Sequence, residues 1–251
     1  MAAGDRFAVL IDADNVSEKY VKIILDEVSS SGTATIKRIY GDWTQPNMNT
    51  WKSVLLNYSI MPVQQYGYTS GKNSTDSAMI IDAMDILYDN NVEGFCIVSS
   101  DSDFTRLATR LRESGMQVIG MGEKKTPTPF VAACDKFKYL DVLLQGISGE
   151  PFEKPQLVEE NAEQSMTNLQ TISNAIYAFV DDAVDEGEWL NIAEVGSNIQ
   201  KRFPDFDVRN YGFKKFTPFL SSLGFLEFET VPSNDGNRNT KSVYVRIKAG
   251  K

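Results

Sequence analysis

Short apolar runs that stop abruptly at acidic residues dominate the first part of this chain. Phe7, Ala8, Val9, Leu10 and Ile11 run unbroken into Asp12-Ala-Asp14-Asn15, and residues 94–98 run into Ser99, Ser100, Asp101, Ser102 and Asp103. Continuous apolar runs of this length, bounded by polar turns, predict strands buried on both faces, as in a parallel sheet. Between the runs the period changes. Val21, Ile24, Leu25 and Val28 recur at helical spacing after Ser17. So do Met79, Ile80, Ala83, Met84 and Leu87 in residues 76–88, and Phe104, Leu107 and Leu111 in residues 103–114. A further helix is predicted at 49–58 and further strands at 33–40, 60–66, 92–98 and 117–121. This alternation predicts an α/β domain with a doubly wound parallel sheet.

The pattern then shifts. Residues 149–167 carry Glu, Gln and Pro with few apolar side chains and read as an acidic linker. Helical spacing returns at residue 168 without strands between the helices. Ile172, Ile176, Phe179 and Val180 line a helix at 169–184. Trp189 and Leu190 lead into a second at about 191–202, and residues 207–223 hold a third with Tyr211, Phe216 and Phe219. Residues 225–230 and 241–247 alternate as strands around a turn-rich segment at 232–240. Three helices followed by a hairpin is the order of a winged helix, a small α+β domain. The expected organisation is therefore 1–148, a linker at 149–167, and 168–251.

A chain of 251 residues accommodates two such domains. It has no His, which removes a Ser-His-Asp triad, a His general base and His-ligated zinc. Cys96 and Cys134 lack a CxxC partner and read as buried thiols. No run reaches membrane-spanning length, and residues 1–5 lack a basic-then-apolar leader, so a cytoplasmic protein without membrane contact is expected. The net charge of −9 argues against a broad basic surface for nucleic acid. Its distribution softens that point: residues 149–168 alone carry five Glu against one Lys.

The strand-end acids are where chemistry is expected. In open α/β sheets ligands bind outside the carboxyl ends of the strands, so two acidic strand ends share one crevice. Crowded carboxylates repel unless a cation lies between them, and hard oxygen donors without His suit Mg²⁺ or Mn²⁺. Asp12, last in a central strand, is the leading candidate ligand. Asp14 and Asn15 have two readings, as site residues or as caps of the following helix. Asp101 is expected to face the crevice and Asp103 to be either a ligand or the cap of helix 103–114. Asp76 opens a helix after a polar loop. Asp82 lies six residues on, about 240° round the helix, so the two cannot share a face closely, and Asp82 reads as a helix-surface residue or one that supports the ligands from behind. Asp12, Asp76, Asp101 and Asp103 together would hold one or two ions, which activate water and stabilise a leaving oxygen in phosphoryl displacement. Lys72, Ser99 and Ser100 are candidates for phosphate contact, or are solvated loop residues.

Three motifs carry a resemblance: Val9-Leu-Ile-Asp12-Ala-Asp14-Asn15, Lys72-Asn-Ser-Thr-Asp76, and Ser99-Ser-Asp101-Ser-Asp103-Phe104. In this order they resemble the NYN family of PIN-like nucleases over about residues 5–145. The resemblance implies a Mg²⁺- or Mn²⁺-dependent endoribonuclease, with Asp12, Asp76, Asp101 and Asp103 as ligands and Asn15 beside the site. Residues 168–248 resemble the LOTUS (OST-HTH) domain, a winged helix associated with RNA. Trp189-Leu190, Val195-Gly196 and residues 207–216 carry this match. Arg209, Lys214 and Lys215 are then candidates for phosphate contact, against the reading of a solvated helix face. Protein partners through the C-terminal domain and a homodimer stay open. Two other functions compete: a catalytically inactive RNA-binding or protein-binding adaptor, and a haloacid-dehalogenase-type phosphatase using Asp12 and Asp14.

Overall fold

The computed structural model describes residues 4–66, 74–148, 166–183, 189–232 and 241–248, which fall into two compact units. The first is a parallel sheet with strands β1 (Arg6–Asp12), β2 (Thr33–Gly41), β3 (Met61–Gln64), β4 (Gly94–Val98), β5 (Gln117–Gly122) and β6 (Lys136–Tyr139). Helices α1 (Val21–Ser29), α2 (Asn49–Tyr58), α3 (Ser74–Asp89), α4 (Thr105–Glu113), α5 (Thr128–Ala133) and α6 (Leu140–Ser148) connect and cover it. Every described pair in this sheet is parallel, and the strand order is 3-2-1-4-5-6.

That order explains the unbroken apolar runs. β1 and β4 are central, each flanked by two strands and covered on both faces, so Phe7 to Ile11 and Phe95 to Val98 are all inaccessible to solvent. Phe7, Val9 and Ile11 pack with Val21, Ile24 and Val28 of α1, Trp51 and Leu55 of α2, and Leu140 and Leu143 of α6. Alternate residues point the other way. Ala8, Leu10 and Asp12 therefore face the opposite layer, where α3 packs on β1 and β2. The direction of strand succession reverses between β1 and β4, the point where open α/β sheets place their ligands. The apolar pattern predicts no element between residue 121 and the linker. There α5, β6 and α6 are short, and Pro127 and Pro129 break up the period.

In the second unit, α7 (Leu169–Ala183), β7 (Leu190–Asn191), α8 (Ile192–Arg202), α9 (Phe216–Ser222), β8 (Leu226–Pro232) and β9 (Lys241–Ile247) enclose a separate core. Its sheet is antiparallel in the order β7-β9-β8. Two sequence expectations need correction. Residues 207–223 are not one helix: a 3-10 turn at Val208–Tyr211 ends at Gly212, whose φ of 82° breaks the helix, and Lys215 is extended before α9 starts. Leu190 and Asn191 pair with β9 rather than merely preceding a helix. The proposed linker lies largely outside the described residues. Its last residue, Thr167, is built into the second unit. The Thr167 backbone N–H and hydroxyl donate to Asp205 at 2.7 and 2.8 Å, and the Tyr211 hydroxyl donates to the Thr167 carbonyl.

Candidate metal centre

Asp12 ends β1 completely buried, beside the switch point. Its Oδ2 accepts hydrogen bonds from Asn15 Nδ2 and Ser99 Oγ, both at 2.7 Å, and its Oδ1 accepts from the Asp14 backbone N–H at 3.1 Å. Burial pushes the Asp12 carboxyl above its ordinary value, and these three bonds to the charged form pull the other way. Ser99 passes the connection on. Its Oγ accepts from the Asp101 N–H, and Asp101 Oδ1 accepts from the Asp103 N–H at 2.9 Å. One network thus ties the end of β1 to the loop after β4. The close approach of β5 to that loop requires Gly122, since a Cβ there would stand 2.6 Å from the Ser99 carbonyl oxygen.

Across the crevice, Asp76 sits buried in the first turn of α3. Asp76, Asp101 and Asp103 each offer a carboxylate oxygen, and these atoms lie within 4.8 Å of one another. Three carboxylates at that spacing, in a chain without His, are a hard-oxygen donor set that fits Mg²⁺ or Mn²⁺. Asp12 adjoins this group without belonging to it. Burial, followed by the charges of Asp12, Asp101, Asp103 and Asp14, pushes the Asp76 carboxyl up to about 6.

This shift has a consequence for stability. The unfolded chain gives up the Asp76 proton near the ordinary carboxylate value, and the folded chain holds it to about 6. Between those values the folded state binds more protons, so stability falls as pH rises, and the cost is complete above pH 6. Allowing for solvent screening, the cost is about 1 kcal/mol. In chelator, Asp76→Asn is expected to raise Tm by about 2–4 °C at pH 8 and to leave it unchanged at pH 3.5. Paired thermal melts at the two pH values check it, and an equal shift at both would refute the electrostatic cause.

The other sequence candidates divide. Asn15 does not cap a helix: its amide is spent on Asp12, and Ser17 occupies the cap position without a side-chain bond. Asp14 is exposed. The cap after β4 is Asp101 rather than Asp103, because a 3-10 turn at Ser102–Phe104 precedes the α-helix and contains Asp103. Ser99 and Ser100 are committed internally, Ser100 Oγ accepting from the Glu123 N–H at 2.9 Å. Lys72 lies outside the described residues. In the second unit, Arg209 forks onto its neighbour Asp207 at 3.0 and 2.7 Å, which offsets its charge, whereas Lys214 and Lys215 are exposed ahead of α9. Sequence reading passed over Arg38 and Tyr40, both of which donate to Asp82. No motif marks them, because the contact depends on how α3 lies across β2.

Comparison with known proteins agrees with this architecture. The NYN domain family matches residues 6–141 and the OST-HTH/LOTUS domain matches residues 167–238. An uncharacterized protein of Methanocaldococcus jannaschii is 27% identical over 121 residues, 47% of this chain and 47% of that protein. The chain thus matches about half the length of this curated relative. A crystal structure of a protein of unknown function from Vibrio parahaemolyticus aligns with a TM-score of 0.47 at 17% identity, covering 55% of this chain and 94% of that one. A solution structure of an uncharacterized Nitrosomonas europaea protein aligns at 0.27 and 21% identity, covering 41% and 91%. With its acids gathered at the switch point of a six-stranded parallel sheet and a winged-helix unit following, the chain belongs to the NYN domain family, a PIN-like nuclease family, and carries an OST-HTH/LOTUS domain behind it.

Proposed function

We propose that this protein is a divalent-metal-dependent endoribonuclease whose second unit binds RNA. The observation that carries the reading is the gathering of the Asp76, Asp101 and Asp103 carboxylates within 4.8 Å at the β1–β4 switch point. In this reading those three hold Mg²⁺ or Mn²⁺, and Asp12, whose Oδ1 accepts from the Asp14 backbone N–H, is the fourth carboxylate beside them. A bound ion supplies Lewis acidity toward phosphate oxygens and lowers the pKa of water for attack on phosphorus. The chain's own residues supply position. Asn15 and Ser99 fix the Asp12 carboxylate, Asp101 caps the turn that carries Asp103, and Asp76 enters from α3. OST-HTH/LOTUS domains are associated with RNA binding, and exposed Lys214 and Lys215 are the candidates for phosphate contact, with Arg209 contributing less because Asp207 holds it. The burial of Asp12 speaks against the phosphatase alternative, since a nucleophilic carboxylate needs an open face toward its substrate.

Incubation of the full chain with end-labelled mixed-sequence RNA tests the reading. Internal cleavage in Mn²⁺ and none in EDTA is expected. Intact RNA retained by the protein in both would favour the adaptor. Release of phosphate from a small aryl phosphate, with RNA intact, would favour the phosphatase.

A further inference from the structure

Beneath α3, away from the three acids, Arg38, Tyr40 and Asp82 form a polar triad. The Arg38 guanidinium donates to one oxygen of Asp82 and the Tyr40 hydroxyl to the other. Tyr40 is fully buried, and the Arg38 and Asp82 side chains are 31% and 21% exposed. Withdrawing an ion pair from water carries a desolvation cost that apolar residues of similar shape avoid, so stability alone is a weak reason for the triad. Its location suggests another. Tyr40 is the β2 residue paired in register with Asp12. Asp82 lies six residues beyond Asp76 on the same helix, about 9 Å along its axis. The buried residues of α3 around Asp82 are Met79, Ala83 and Ile86. Apolar contact is non-directional and tolerates sliding and rotation. Two hydrogen bonds to one carboxylate do not.

We propose that Arg38, Tyr40 and Asp82 are positioning residues that clamp α3 on β2 in the one setting that holds Asp76 against Asp101 and Asp103. The inference rests on the metal-centre reading. The three residues touch neither ion nor substrate and act through Asp76.

The test is Mn²⁺ titration, followed by electron paramagnetic resonance, of this 251-residue chain and of its Tyr40→Phe, Asp82→Asn and Asp85→Asn variants, well below each melting point. Tyr40→Phe keeps the buried ring and removes only the hydroxyl. Asp85 is exposed on the same helix, so Asp85→Asn removes an equal charge without breaking the triad. Displacing a group that orients a metal ligand commonly weakens binding about 10- to 100-fold. Mn²⁺ affinity is therefore expected to fall about tenfold in Tyr40→Phe, further in Asp82→Asn, and by no more than about twofold in Asp85→Asn, in line with screened surface charge. A lowered Tm with unchanged Mn²⁺ affinity in Tyr40→Phe would overturn the proposal, leaving the triad to hold the fold alone. Equal weakening in Asp82→Asn and Asp85→Asn would overturn it too, since charge would then suffice. Absence of Mn²⁺ binding by the wild type removes the metal centre and the clamp together, whereas normal binding by wild type and Tyr40→Phe alike removes only the clamp.

Discussion

Asp101→Asn is expected to slow Mn²⁺-dependent RNA cleavage by at least about a hundredfold while leaving the folded protein intact. The two effects separate because Asp101 does two things. Its Oδ1 caps the 3-10 turn by accepting from the Asp103 N–H at 2.9 Å, and its carboxylate is one of the three gathered at the crevice. Asn is as good a cap as Asp, so the turn and the placement of Asp103 survive, with a stability change within about 0.5 kcal/mol. The negative charge does not survive. Removing one preorganised electrostatic group from an active site commonly costs 10²–10³-fold in rate, about 3–4 kcal/mol. Single-turnover cleavage at saturating Mn²⁺, beside a thermal melt, checks both halves. Cleavage at wild-type rate by a folded Asp101→Asn protein would remove Asp101 from the site.

Asp12 is the more obvious target and the poorer probe. All three of its hydrogen bonds are accepted, two of them at Oδ2. An Asn there either turns its amino group on the Asp14 N–H, leaving an unsatisfied buried pair that costs about 1–3 kcal/mol, or forces the Ser99 hydroxyl to rotate and the Asn15 amide to flip so that both accept, which disturbs the network that fixes the site. Lost cleavage in Asp12→Asn would then report misfolding and lost chemistry together.

That difference marks what could be read from the chain alone. Asp12 and Asp101 were legible because each stands where an apolar run stops, and a strand buried on both faces must present its next polar residue at its carboxyl end. That their ends share one crevice was expected from the placing of ligands at the carboxyl ends of open α/β sheets, whereas the alternation gives no strand order and the adjacency of β1 and β4 is seen only in the structure. Asn15 was ambiguous, since Asn after a strand serves equally as a helix cap, and only three-dimensional proximity to Oδ2 decides. Asp103 was open between ligand and cap, and the cap proves to be Asp101, which the apolar spacing does not reveal because a 3-10 turn has no apolar period of its own. The Arg38–Tyr40–Asp82 triad was illegible: it joins residues 42 and 44 positions apart through the lie of one helix on one strand. In the second unit, the apolar spacing of 207–223 suggested one helix although Gly212 stands in the middle of it. A backbone at positive φ ends a helix whatever the spacing of the side chains around it.

The same stretch supplies the largest expected effect on stability. Phe219, on α9, has no exposed surface, and four rings surround it: Tyr211 at 5.4 Å between centroids, Phe213 at 5.5 Å, Phe206 at 5.7 Å and Phe216 at 6.3 Å. Two of these belong to the 3-10 turn and the chain just past Gly212, so Phe219 joins both halves of the broken helix to the core containing Ile172, Ile176, Val195 and Val245. Phe219→Ala removes most of a ring from a setting of rigid aromatic neighbours that cannot collapse into the space, and such truncations cost about 3–5 kcal/mol. That approaches the whole stability of a small domain, about 5–15 kcal/mol. Hydrogen exchange on the full chain is expected to show α7 and β9 amides losing at least about a hundredfold in protection, while those of β1 and β4 in the other unit keep theirs. Phe219→Leu, which refills much of the space, is expected to recover more than half of the loss. Protection in α7 and β9 that survives Phe219→Ala would show that the aromatic cluster does not hold this unit together.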